Sequence, residues 1–126
     1  MQRTLPTLVM FTVIGCLVAN ESSAQVVKQE VAGVTNFAKI ESTVACAGAI
    51  TPAAIQELKK MGYASIINLR LGTEPGADIE GHSVVAKSVG IPYHHIPFSA
   101  TAPDPAAVDT FLKTITAPGV QPAFIH

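Results

Sequence analysis

The sequence predicts an α/β fold: a central, largely parallel sheet flanked by helices. Three observations carry this. After residue 50 the chain alternates helix, strand, helix, strand, helix, strand, which is the order that builds a parallel sheet with crossover helices. The run ASIINLR (residues 64–70) is almost continuously apolar, as a strand covered on both faces must be. Two of the helix starts carry a polar cap followed by proline, Thr51-Pro52 and Asp104-Pro105.

The elements follow in order. Residues 25–33 read as a polar lead-in. Residues 34–40 (VTNFAKI) and 42–48 (STVACAG) read as two short strands, a hairpin or a pair of edge pieces. Thr51 is the expected cap of a first helix with Pro52 in its first turn. Ile55, Leu58 and Met61 recur at helical spacing as its buried face, and Gly62 ends it. The strand over 64–70 follows. LGTEPGADIEGH has the Gly and Pro content of a loop, and a second helix spans 79–89, weakened by Gly81 and closed by Gly90. IPYHHIPF (91–98) is the next strand. A third helix starts at Asp104-Pro105, with Val108, Phe111, Leu112 and Ile115 as one apolar face, and ends at Ala117-Pro118-Gly119. Phe124 and Ile125 belong to a last, buried strand. Ligands of such sheets bind beyond the carboxyl ends of the strands, and His126 stands at one of those ends.

Composition narrows the function. The 126 residues are 48% hydrophobic and 13% charged, with a formal net charge of −1. Without a cluster of Lys and Arg there is no footprint for nucleic acid. Residues 1–24 read as an export signal: Arg3 supplies the positive start, residues 5–18 the apolar middle, and Ser22-Ser23-Ala24 the small residues before a cut after Ala24. The alternative is a lipoprotein signal, in which Val13-Ile14-Gly15-Cys16 resembles a lipobox and Cys16 carries the lipid; only then is a membrane a partner. Either way the protein is exported, periplasmic or secreted. Cleavage after Ala24 leaves Cys46 as a single thiol, which reads as a small buried hydrophobe in TVACAG.

Three stretches together resemble one family: NFAKIESTVACAGAITPAAIQELKKMGYASIINLR, then GIPYHHIPFSATAPDPAAVDTFLKTI, then QPAFIH. They are similar to the beta-lactamase hydrolase-like protein phosphatase-like family, a branch of the dual-specificity and tyrosine phosphatase fold. The likeness covers residues 34–126. It implies a phosphatase-like domain that is incomplete at its carboxyl end, because in that family the strand ending in His is followed at once by Cys-x-x-G-x-R. That loop surrounds a phosphate with backbone N–H groups and an Arg, and it lowers the pKa of the cysteine that attacks phosphorus. The expectation is an exported cysteine-dependent hydrolase of phosphate esters, small molecules or phosphoproteins, using no cofactor. As given, the chain lacks the nucleophile and is expected to be inactive. Two rival readings are a rhodanese-like sulfurtransferase, which also sets a reactive cysteine after a strand, and a non-catalytic binding module or degenerate relative. An uncovered last strand would also make residues 25–126 poorly soluble or partly ordered.

The resemblance assigns His126 the position just before the loop, where it would orient the loop and favour the thiolate. It places a general acid near the end of the IPF strand, where this chain has Ser99, Ala100 and Thr101. Asp104 is the nearest carboxylate, and it fits equally as the cap of the third helix, the reading preferred here. Arg70 ends the INLR strand and could attract an anion; paired with Glu74, Asp78 or Glu80 it would be structural, the reading preferred. His94 and His95, with His82 or His126, invite a metal site, but neighbours on a strand point to opposite faces, so no metal is expected.

Overall fold

The computed structural model describes residues 25–126. The export segment expected over residues 1–24, with Cys16, lies outside the described residues. Six strands form one sheet: β1 (Val26–Lys28), β2 (Ala38–Ile40), β3 (Val44–Cys46), β4 (Ser65–Asn68), β5 (Tyr93–His95) and β6 (Ala123–Ile125), in the order β1-β2-β3-β6-β4-β5. The first three strands form an antiparallel meander. Every pairing from β3 through β6 and β4 to β5 is parallel. The α/β expectation with a largely parallel sheet holds.

Alternation along the strands sorts the core into two layers. Ile66 and Phe124 point to the face covered by α1 (Ala54–Lys60) and α2 (Ile79–Val89), where Ile55, Leu58, Ala86 and Ile91 meet Phe37, Ala45 and Tyr63. Ile67 and Ala123 point the other way, to α3 (Pro105–Ile115), where Ile96, Phe111 and Ile115 pack. β4 is buried at all four positions, as its apolar run requires.

Several boundaries differ from the sequence reading, each for a local reason. The lead-in contributes a strand: β1 pairs with β2 at the sheet's edge, and its exposed VVK has too little pattern to announce it. The 34–40 strand shortens to β2, since Asn36 turns at a positive φ of 54° and Val34 makes only isolated bridges to Val31 and Ile50. The 42–48 strand shortens to β3, the 64–70 strand to β4 and the 91–98 strand to β5. Thr51 does not cap α1. Its carbonyl closes a turn with the Ala54 amide at 3.0 Å, and the helix starts at Ala54 behind Ala53, which makes no side-chain cap. Met61 is 41% exposed instead of buried with Ile55 and Leu58, because it is already the C-terminal cap of α1.

Both bounds of α2 match the sequence reading. Asp78 caps it, its carboxylate accepting from the Gly81 amide at 3.2 Å, and Gly90 ends it in the left-handed region at φ 67°. Gly81 does more than weaken the helix: a Cβ there would collide with the Asp78 carboxylate, so the glycine makes the cap possible. The apolar face predicted for α3 is only half used. Ile115 is buried and Phe111 half-buried, but Val108 and Leu112 are 41% and 53% exposed.

Candidate active site at the carboxyl ends of β4 and β6

The connections of the parallel strands leave a crevice. From β4 the chain crosses through α2 on one face to reach β5, and from β5 it crosses through α3 on the other face to reach β6. The loops therefore part above the neighbouring carboxyl ends of β4 and β6, the position where open α/β sheets bind ligands. A cavity of about 390 Å³ opens there, with Arg70, Glu74, Phe98, Ser99, Thr101 and His126 in its lining. A larger opening of about 450 Å³ lies over the antiparallel edge beside Lys28, Glu30 and Phe37. It gathers no His, Cys or Arg, so chemistry favours the smaller crevice.

His126 lines the crevice. Its backbone is locked on β4, with its amide donating to Ile67 at 3.0 Å and its carbonyl accepting from Leu69 at 2.7 Å. Its side chain is buried, and neither ring nitrogen has a partner among the described residues. The His82 ring from α2 meets it edge-on, with centroids 5.2 Å apart. Burial first, then the neighbouring charges of His82, Arg70 and His95, pushes its pKa down to about 3. The ring is therefore neutral across the physiological range.

Arg70 is held by the loop after β4. Its guanidinium donates to the Pro75 carbonyl at 2.9 Å and stands 3.6 Å from the Glu74 carboxylate. Of the three structural partners expected for it, Glu74 is the one it meets in an ion pair. Its position nevertheless remains at the mouth of the crevice with His126.

Asn68, the last residue of β4, fixes that loop. Its side-chain nitrogen donates to the Ala77 carbonyl at 3.0 Å and to the Tyr93 hydroxyl at 2.8 Å, and its oxygen accepts from the Arg70 amide at 2.8 Å. Burial raises the Tyr93 pKa, while the Asn68 bond opposes the rise. The sequence reading passed over Asn68 as one polar letter in an apolar run. Yet a fully buried Asn must find partners, and that requirement was the available signal. Asn68→Ala leaves the Arg70 amide without this acceptor and the Ala77 carbonyl without this donor, and is expected to lower unfolding free energy by about 2–3 kcal/mol. Urea unfolding of residues 25–126 measures it; a loss below about 0.5 kcal/mol would rule out the bracing role.

Asp104 caps α3, its carboxylate accepting from the Ala106 amide at 2.9 Å, and it is not in the crevice lining. Ser99, Ala100 and Thr101 are in the lining. His94 and His95 diverge as a strand demands. The His95 ring nitrogen meets the Arg70 carbonyl at 2.9 Å, whereas His94 lines a groove against Thr110 and Lys113 of α3. Among the described residues no group of three or more His, Cys, Asp or Glu converges as a metal site. Cys46 is half-buried rather than buried, and burial raises its thiol pKa, the reverse of an activated nucleophile.

No protein-family profile and no curated protein sequence matches the chain. Solved structures do. A candidate phosphatase (DUF442) from Shewanella putrefaciens is 18% identical, with a TM-score of 0.67 over 75% of this chain and 59% of that one. A candidate phosphatase from Neisseria meningitidis is 20% identical, with a TM-score of 0.57 over 68% of this chain and 61% of that one. The core catalytic domain of the PP-IP phosphatase SIW14 from S. cerevisiae, in complex with citrate, is 18% identical, with a TM-score of 0.50 over 66% of this chain and 49% of that one. The chain thus spans about three-fifths of the first of these structures, and its fold is that of a phosphatase-like α/β domain.

Proposed function

We propose that residues 25–126 form the first part of an exported, cysteine-dependent phosphatase-like hydrolase of phosphate esters, whose nucleophile stands on a Cys-x-x-G-x-R loop directly after His126. The substrate is a small phosphorylated molecule or a phosphoprotein. The observation that carries this reading is the buried, neutral His126 at the carboxyl end of β6, in the β4/β6 crevice beside Arg70. Similarity of fold to phosphatase structures supports it.

In this reading each residue of the chain has a part that follows from its position. β6, hydrogen-bonded between β3 and β4, gives the loop a rigid base. His126, neutral and with no partner for either ring nitrogen among the described residues, is free to hydrogen-bond the loop that follows it. The thiolate on that loop attacks phosphorus as the ester P–O bond breaks, and water then releases phosphate from sulfur. Asp104 could protonate the leaving oxygen only by giving up its bond to the Ala106 amide, so its first role is the cap of α3.

The test is to extend the coding sequence beyond His126 and assay the product on aryl phosphates. Turnover should depend on a cysteine at position 127, and changing that cysteine to serine should reduce it by about a thousandfold or more. Residues 25–126 alone should give none. A following segment without cysteine, or full activity of the serine variant, would refute the proposal.

A further inference from the structure

His82 is a buried histidine that the proposed chemistry leaves unused. α2 buries His82 and Ala86, four residues apart on one face. The Nε2 of His82 lies 3.2 Å from the Ile50 carbonyl. A carbonyl only accepts, so this nitrogen carries a hydrogen and donates it. The bond ties α2 to the segment ahead of α1. Two further rings pack against His82: Tyr93 of β5, tilted at 6.2 Å, and His126, edge-on at 5.2 Å and 85°. Tyr93 is held in turn by Asn68 through its hydroxyl. The His82 ring thus has a hydrogen-bonded anchor and two packed neighbours, and it cannot turn without losing them.

His126 has the opposite character. Its backbone is bonded to β4 through both amide and carbonyl, yet neither ring nitrogen has a partner among the described residues. Packing is what limits its side-chain torsions. One packed ring is Phe124, at 6.0 Å and 30°, which belongs to the same strand; the other is His82, which comes from a helix.

We infer that His82 is the positioning residue of His126: anchored on the Ile50 carbonyl, its ring is the wall that holds the His126 side chain in a single rotamer beneath the loop proposed to follow. The consequence for catalysis rests on the phosphatase reading; the packing itself does not. A histidine suits the place because it combines a flat ring for His126 with a donor for the Ile50 carbonyl. Phenylalanine would supply the ring and leave that carbonyl without this donor, and glutamine would supply the donor without the ring. The two parts of the role can therefore be separated.

The experiment reads the His126 rotamer by NMR in residues 25–126, from its Hα–Hβ couplings and from NOEs between the two imidazole rings. The parent should show a single rotamer and NOEs joining the rings. Averaged couplings in the parent, or rings without an NOE, would overturn the inference before any variant is made. His82→Gln should average the couplings while the folded amide spectrum is retained, and His82→Phe should keep a single rotamer. A merely structural His82 would cost stability in both variants and leave the His126 couplings as they are, which also overturns the inference. On the chain extended beyond His126, His82→Gln should lower kcat for an aryl phosphate by about tenfold, the scale of a slightly misplaced group. KM should stay within about twofold, and His82→Phe should recover most of the loss. An unchanged kcat in the glutamine variant would overturn the catalytic half. If the extended chain turns over no ester, the phosphatase reading falls, and the couplings still decide whether His82 holds His126.

Discussion

Phe124→Ala should strongly destabilise residues 25–126. Phe124 is fully buried at the centre of β6, stacked on Phe37 at 6.2 Å and edge-on to Tyr63 at 5.9 Å, with Phe37 and Tyr63 themselves 6.3 Å apart. Truncation removes the shared member of this aromatic trio and leaves a cavity between the sheet and α1, where partial collapse is the only relief. The expected loss is about 3–5 kcal/mol, the range for large aromatic residues in cores. A domain of this size holds only about 5–15 kcal/mol in total, so a large share of the margin disappears. Urea unfolding followed by circular dichroism should show a broad, early transition or none. Phe124→Leu, which refills much of the volume, should retain a cooperative transition at a smaller cost. A loss under about 1 kcal/mol for the alanine variant would mean that the trio is not the keystone of this layer.

The second large effect concerns acid. The pKa of His126 in the folded chain is about 3, against 6.5 for the free side chain. The folded value is depressed, so above pH 6.5 both states are neutral at this ring and nothing is gained or lost. As pH falls below 6.5 the unfolded chain takes up a proton that the folded chain refuses, and stability declines until the folded ring titrates near 3. Each pH unit within that window costs up to about 1.4 kcal/mol, so moving from pH 6.5 to 5 should cost about 1–2 kcal/mol. Burial is the first reason, and the groups facing the ring add to it: a second positive charge would sit beside Arg70 and against His82 and His95. Denaturation curves from pH 7.5 to 4.5 measure the slope, and His126→Gln should flatten it. A parent protein as stable at pH 5 as at pH 7 would show that the ring is solvated or paired in solution.

What the sequence made legible follows the range of the forces involved. The end of α2 was readable because a glycine stop acts next to the helix it closes; the Asp78 cap at its start went unread. The burial of β4 was readable because both its faces are covered and its composition records that directly. The start of α1 misled because Thr51-Pro52 has the composition of a cap, while the chain uses those residues for a turn and begins the helix at Ala54. β1 was unreadable because an exposed three-residue edge owes its existence to β2, not to its own pattern. At the site, His126 and Arg70 could be named from their places at strand ends. Their environment could not. The partners of Asn68 lie on the loop before α2 and on β5, and the His82 ring that presses on His126 comes from α2. Such meetings are decided by how helices pack, and no spacing along the chain encodes them.

The place of β6 in the sheet has a consequence for how the protein is made. No hydrogen bond of the sheet joins the β1–β3 meander to the β4–β5 pair; both are bonded only to β6. On the ribosome β6 emerges after all five strands it must unite. Until then the meander and the β4–β5 pair have no strand to join them, and an unpaired strand edge is of the kind that pairs readily with other chains. The assembly waits on contacts between residues distant in sequence, a slow class of closure. For a protein proposed to cross a membrane before folding, this order is an advantage. The chain cannot lock until its central strand has been delivered, and the same insertion that completes the sheet sets His126 in the crevice.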